Sequence, residues 1–151
     1  MRNQQKGFSL IELLIVVSII LIIASIAIPN LMRSKIAANQ ASAVASLRTL
    51  NTSSALFYTN YAVYPSSITN MGTAASVTST SADLIDAVLA SGTKSGYVFT
   101  WAGGAATGAY AIKADPVSGS TGTVHYFTNQ SLVIRSNATA AATVNDLPIG
   151  N

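Results

Sequence analysis

The stretch Lys6-Gly7-Phe8-Ser9-Leu10-Ile11-Glu12 runs straight into the apolar segment Leu13 to Ile28, and its reading decides the fold. Between Phe8 and Ile28 the hydrocarbon is interrupted only by Ser9, Glu12, Ser18 and Ser25. At about 1.5 Å per residue a helix of this length crosses a bilayer core of roughly 30 Å. A carboxylate near the middle of such a helix costs roughly 2.5 to 3.5 kcal/mol, and less toward its end. Glu12, one turn in, therefore points to a function rather than to packing. Arg2 and Lys6 precede the run and hold that end on the cytoplasmic side by the positive-inside bias.

Two ordinary readings compete. A secretory signal peptide would use Arg2 and Lys6 as its basic region and Ser25-Ile26-Ala27 as a small-x-small cleavage site, releasing a soluble protein from Ile28. The early acidic residue and an apolar run longer than about 7 to 15 residues count against it. A plain transmembrane anchor needs neither Gly7 nor Glu12.

The string from Lys6 into the apolar run resembles the N-terminus of type IV pilins and of the related type II secretion pseudopilins, in which a leader peptidase cuts after the glycine. The resemblance implies a leader over residues 1–7, cleavage between Gly7 and Phe8, and N-methylation of the new Phe8 amine. It further implies subunit assembly through Phe8, Glu12 and Pro29, the last matching a proline common in the family. The implied partners are further copies of the chain joined through their N-terminal helices, a prepilin peptidase and the inner-membrane pilus assembly machinery. The implied location is a single-pass inner-membrane precursor, then an extracellular pilus or a periplasmic pseudopilus. Adhesion, motility or DNA uptake would be the filament's work.

Elementary electrostatics gives that cut a consequence. It removes Arg2 and Lys6 and exposes an α-amine on Phe8, which Glu12 can reach in its own chain or in a neighbour. At about 4 Å and an effective dielectric of about 20, such a pair attracts by roughly 4 kcal/mol before desolvation is subtracted. The positive end of the helix dipole also favours a charged Glu12. Polymerisation would exchange lipid for other subunits' identical segments, so it would rest on packing and on Glu12 pairing.

The rest of the chain predicts an α+β fold, a long helix laid on a small antiparallel sheet of about four strands. The segments are a membrane or filament helix over 8–28, its amphipathic continuation over 29–64 and a head over 65–151. Pro29 deletes a backbone donor and crowds the Ser25 carbonyl, which predicts a kink or weak point there. Val44, Leu47, Leu50, Ser54, Phe57 and Tyr61 recur at helical spacing and predict one sheet-facing stripe, and Pro65 is expected to end the helix. Residues 66–81 read as a loop. A short helix follows, with Ser81 as its cap, Asp83 and Asp86 near its positive end, Leu84, Ile85, Val88 and Leu89 as its apolar face and Gly92 as its stop. Strands are predicted over 97–101, 110–114, 124–128 and 132–135, with Gly103-Gly104, Asp115-Pro116, 118–122 and Asn129-Gln130 as turns. The tail over 136–151 is small, polar and weakly patterned, extended on the sheet or mobile.

Composition bounds the chemistry. The 151 residues carry a net charge of +3, are half hydrophobic and 9% charged, and without Arg2 and Lys6 the side chains balance six basic against five acidic. The basic pI is thus weak evidence for nucleic acid, a partner left open. Cysteine is absent, excluding disulfides and thiolate chemistry, and something else must secure a head that many pilins staple with a disulfide. No catalytic residue and no cofactor is expected. His125 alternates with apolar neighbours as a surface strand residue would, Asp115 reads as a turn residue, and no serine has a recognisable triad context. Asp83, Asp86, Asp115 and Asp146 are dispersed in sequence, so no metal site is expected, which weighs against the calcium-binding major pseudopilins. Phe57, Tyr58, Tyr61, Tyr64, Tyr97, Phe99, Trp101, Tyr126 and Phe127 read first as core, with an aromatic electron path a remote alternative. Asn51, Asn129 and Asn137 begin weak N-glycosylation patterns.

The sequence therefore reads as that of a structural filament subunit and not an enzyme. A secretion-system pseudopilin is the near alternative. A membrane-tethered monomeric binding module using Lys94, Lys113 and Arg135 is the alternative of another class.

Overall fold

Helix α1 runs from Leu10 to Tyr61 as one helix of 52 residues, passing through Pro29 without a break. The computed structural model describes residues 7–104 and 108–150. The leader cations Arg2 and Lys6 lie outside the described residues. The chain divides into two units, residues 1–34 and 35–151.

The described part of the first unit is an apolar helix. Its large apolar side chains from Phe8 to Met32 are 46 to 90% exposed, and none of its most apolar window is buried. The hydroxyls of Ser18, Ser25 and Ser34 donate to the carbonyls of Leu14, Ile22 and Asn30 at 2.8, 2.8 and 3.0 Å. Each thereby hides its polar atom on its own helix, which lets serine sit on an oily surface at little cost. Pro29 supplies no N–H, so the Ser25 carbonyl lacks its usual i+4 donor.

The second unit packs the C-terminal part of α1 on a sheet. A short 3-10 turn, Ile68–Met71, and a one-turn helix α2, Ala87–Ala90, precede five strands: β1 Thr93–Lys94, β2 Tyr97–Gly104, β3 Ala109–Pro116, β4 His125–Asn129 and β5 Arg135–Asn137. All neighbours are antiparallel, in the order β1-β2-β3-β4-β5. Ala43, Leu47, Leu50 and Phe57 of α1 are buried in one cluster with Tyr97, Phe99, Tyr110, Ile112, Ala114 and Tyr126 of the sheet. Each large side chain so buried contributes about 1.5 to 3 kcal/mol. The expected stripe thus faces the sheet, with Val44 and Tyr61 at its margins. Burial pushes the Tyr97 and Tyr110 hydroxyls up to about 12.

Polar groups cross the same interface. Asn51 is buried, yet its amide donates to Thr128 Oγ1 at 2.9 Å and to the Leu132 carbonyl, while its oxygen accepts from the Tyr110 hydroxyl. This ties α1 to β3, β4 and the turn after β4 in one place. It also removes Asn51 from reach of a glycosylating enzyme. The oxygens of Asn129 and Asn137 accept from the amides of Ser131 and Thr139, so those two patterns are turn motifs of the folded chain.

Several expected boundaries move. α1 stops at Tyr61 because Ala62 adopts the left-handed conformation at φ 57°, three residues before Pro65. The presumed loop contains the 3-10 turn, whose Ile68 and Met71 are buried in the core. Asp86, not Ser81, caps α2, accepting from the Leu89 amide at 2.8 Å. Asp83 lies outside α2 at φ 50°, and Val88 is exposed. Leu84 and Ile85 instead pack from an extended segment whose amides bond the Met71 carbonyl. Gly103 and Gly104 belong to β2, and Asp115 and Pro116 to β3. Gly104, at φ 124°, leaves room for the Pro65 carbonyl, which a Cβ would meet at 2.4 Å. Leu132, at φ 63°, holds the chain in a turn, so the last strand begins at Arg135. The extra strand β1 forms because Ser95 and Gly96, both at positive φ, close a two-residue hairpin.

The C-terminal tail is pinned. Ser136 and Ile149 donate backbone hydrogen bonds to Leu147 and Ile134, and Arg135 bridges to Pro148. One Asp146 carboxylate oxygen accepts from the Thr143 amide and hydroxyl, the other from Asn137. Those donors, the Thr143 amide first, hold the Asp146 carboxyl below its ordinary range. A carboxylate clasp thus secures the end of a head without cysteine.

Candidate functional site

The residues singled out by the sequence gather at the start of α1. Gly7 has nothing within 4 Å of the position a Cβ would occupy, and Phe8 is 90% exposed, so the Gly7–Phe8 peptide is open to approach. Ser9 accepts the first helical bond, from Leu13. The Glu12 carboxylate reaches back and accepts the Ser9 amide at 2.9 Å. Ser9-Leu10-Ile11-Glu12 therefore has the spacing of a capping box, with Glu12 satisfying a donor that the helix would otherwise orphan. The Ser-x-x-Glu spacing carries this signal, which adds a local cap to the amine pairing and helix-dipole preference expected of Glu12.

The arrangement places a carboxylate on the positive end of a long helix, one turn from the Gly7–Phe8 bond. In the uncut chain Glu12 is already hydrogen-bonded locally. This lowers the cost of carrying a charge at the edge of the apolar surface. Pro29 is seventeen positions further along the same helix and takes no part in this cluster.

Residues 2–28 match the family model of the prokaryotic N-terminal methylation motif. The N-terminus is a prepilin signature. It is the signature shared by type IV pilin and pseudopilin precursors, and it covers the apolar start of a helix long enough to cross a membrane. The prepilin signature does not extend into the head, and no curated protein matches the chain.

The head's charged residues do not converge. Lys94 pairs with Asp86 at 3.0 Å, and the Leu89 amide and Lys94 together hold the Asp86 carboxyl below its ordinary range. Arg135 donates to the Asp146 carbonyl at 2.8 Å. Lys113 and Arg135 share one sheet row, with Phe127 of β4 between them, while Lys94 stands on the two-residue strand β1. His125 Nδ1 lies 2.5 Å from Asp115 Oδ1, so the presumed turn residue is a cross-strand partner. Among the described residues no group of three His, Asp or Glu side chains gathers as a metal site would. The aromatics mainly pack as core, Trp101 stacking on Tyr110 at 4.8 Å and Tyr64 meeting Tyr110 edge-on at 4.9 Å.

Proposed function

We propose that the chain is the structural subunit of a type IV pilus-like filament, held first in the inner membrane, cut after Gly7, methylated at Phe8 and polymerised through α1. The observation that carries this reading is the prepilin signature on an apolar helix none of whose most apolar window is buried among the described residues. Such a surface is at home in lipid or against copies of itself, and the two environments are close in free energy. Transfer between them therefore needs a specific interaction to favour the filament.

Glu12 supplies that interaction in this reading. Cleavage converts the Phe8 peptide N–H into an amine, a stronger partner for the carboxylate than the neutral Ser9 amide. The carboxylate then exchanges a local cap for an ion pair, within the chain or with the subunit beside it. Around Pro29, which cannot donate to the Ser25 carbonyl, α1 has a point where it can loosen as subunits pack. The head, pinned through Asn51 and the Asp146 clasp, rides along as a folded unit.

Replacing Glu12 by alanine tests this. The variant should reach the membrane fraction at the wild-type level, while filament yield falls at least about tenfold, the factor given by 1.4 kcal/mol lost per joint. Wild-type filament yield from E12A would contradict the role given to Glu12. Recovery of the wild-type chain in a periplasmic fibre rather than a surface one would assign it to a pseudopilus.

A further inference from the structure

Two cations mark the end of the apolar helix surface. Leu31 and Met32 are exposed apolar side chains, Arg33 follows at once and Lys35 two positions on, both exposed on the same continuous helix. Ser34 between them is turned back onto its own backbone through the Asn30 carbonyl. Positions two apart on an α-helix point to opposite sides, about 200° around the axis. The pair therefore faces outward on both flanks and cannot serve one acidic residue beside the helix.

Most of the described acids are engaged elsewhere. Among the described residues neither Arg33 nor Lys35 pairs with a carboxylate. Asp86 is engaged by Lys94, Asp115 by His125 and Asp146 by Thr143 and Asn137. Glu12 caps its own helix, leaving Asp83 as the carboxylate without a side-chain partner among the described residues. Among the described head carboxylates of a second copy, Asp83 alone lacks a side-chain partner, one acid for two cations. The distance along α1 suits another anion. Leu10 to Arg33 rises about 35 Å, more than a hydrocarbon core of roughly 30 Å and within the 40 to 45 Å that includes the headgroups.

We propose that Arg33 and Lys35 form a collar that binds anionic lipid headgroups at the exit face of the membrane, setting the depth of the helix and giving way when the chain is extracted. This rests on the reading that α1 is first a membrane segment and then a filament segment. Long basic side chains reach the headgroup layer by lying along the helix, and one beside an anionic surface gains enough to raise lipid preference about fivefold.

The test is lipid selectivity around the full chain purified from membranes and placed in mixed phosphatidylcholine and phosphatidylglycerol bilayers, read with spin-labelled forms of each lipid. Wild type should prefer phosphatidylglycerol, R33Q/K35Q should lose that preference by fivefold or more, and R33K should keep it. High salt should weaken it in wild type. Any contribution of Arg2, Lys6 or the terminal amine is common to wild type and variant and cancels in the comparison. Equal selectivity in wild type and R33Q/K35Q overturns the proposal. So does a double variant that keeps the lipid preference yet fails to form filaments, because the cations would then address another subunit. An intact Met1 terminus with the expected lipid preference would leave this contact standing and remove the filament reading.

Discussion

At the scale of single residues, the chain repeatedly solves the same problem, a polar group in an apolar setting, with a local partner. Glu12 takes the Ser9 amide, Ser18 and Ser25 take helix carbonyls, and Asn51 takes Thr128, Tyr110 and Leu132 across the core. Asn51 is where this matters most for the head, because its removal strands the buried hydroxyls of Thr128 and Tyr110. Asn51→Ala should cost about 1 to 3 kcal/mol. That corresponds to a fall in thermal midpoint of about 4 to 8 °C for each kcal/mol in a small domain. A circular-dichroism melt checks it, and an unchanged midpoint would show that the network is idle. Asp146 makes a pH-dependent counterpart. Its carboxyl titrates below the ordinary value of 3.8 in the folded chain, so its contribution is present above that value and is lost as pH falls through the depressed one. The amides of Ser136 and Ile149, bonded to and within the tail, should exchange slowly at neutral pH. They should lose protection on acidification, or at neutral pH in Asp146→Asn. Equal protection in that variant would place the tail's anchorage elsewhere.

At the scale of elements, periodicity identified what apolar packing determines and missed what backbone conformation determines. The α1 stripe and the cores of β2, β3 and β4 were legible because Leu47, Leu50, Phe57, Tyr97, Phe99, Ile112 and Tyr126 repeat with the spacing of the surface they bury. The ends were not. Ala62 and Leu132 take positive φ although their side chains give no sign of it, and they set the end of α1 and the start of β5. Glycine misled in the opposite direction. Gly103-Gly104 looks like a turn but continues β2, with Gly104 chosen for the close approach of Pro65. Gly104→Ala should therefore destabilise the head by more than about 1 kcal/mol, since its Cβ meets backbone and its φ is unfavourable to alanine. Chemical denaturation measures this, and a wild-type midpoint would show that the Pro65 segment can move aside freely. The site was legible to a similar degree. Gly7, Phe8 and Glu12 stand out by charge and hydrocarbon pattern, whereas the Ser9–Glu12 cap and the Asp115–His125 pair needed the fold to bring donor and acceptor together.

At the scale of the whole molecule, the two units meet opposite demands. The described residues of 35–151 gather a core of buried apolar side chains and, apart from the indole N–H of Trp101, give their buried polar side-chain atoms partners within the head. The apolar helix of the first unit buries almost nothing of itself, and its stability in water would be poor without lipid or other chains around it. In the proposed life cycle, proteolysis decides which surroundings the helix keeps, by uncovering an amine beside a carboxylate that is already in place. The most direct measurement is the intact mass and N-terminal sequence of the chain recovered from sheared, purified surface fibres. The account predicts a chain that begins at Phe8 and carries a methyl group on its amine. A chain that begins at Met1, or a protein absent from fibres and recovered as a free monomer beginning at Ile28, would contradict it.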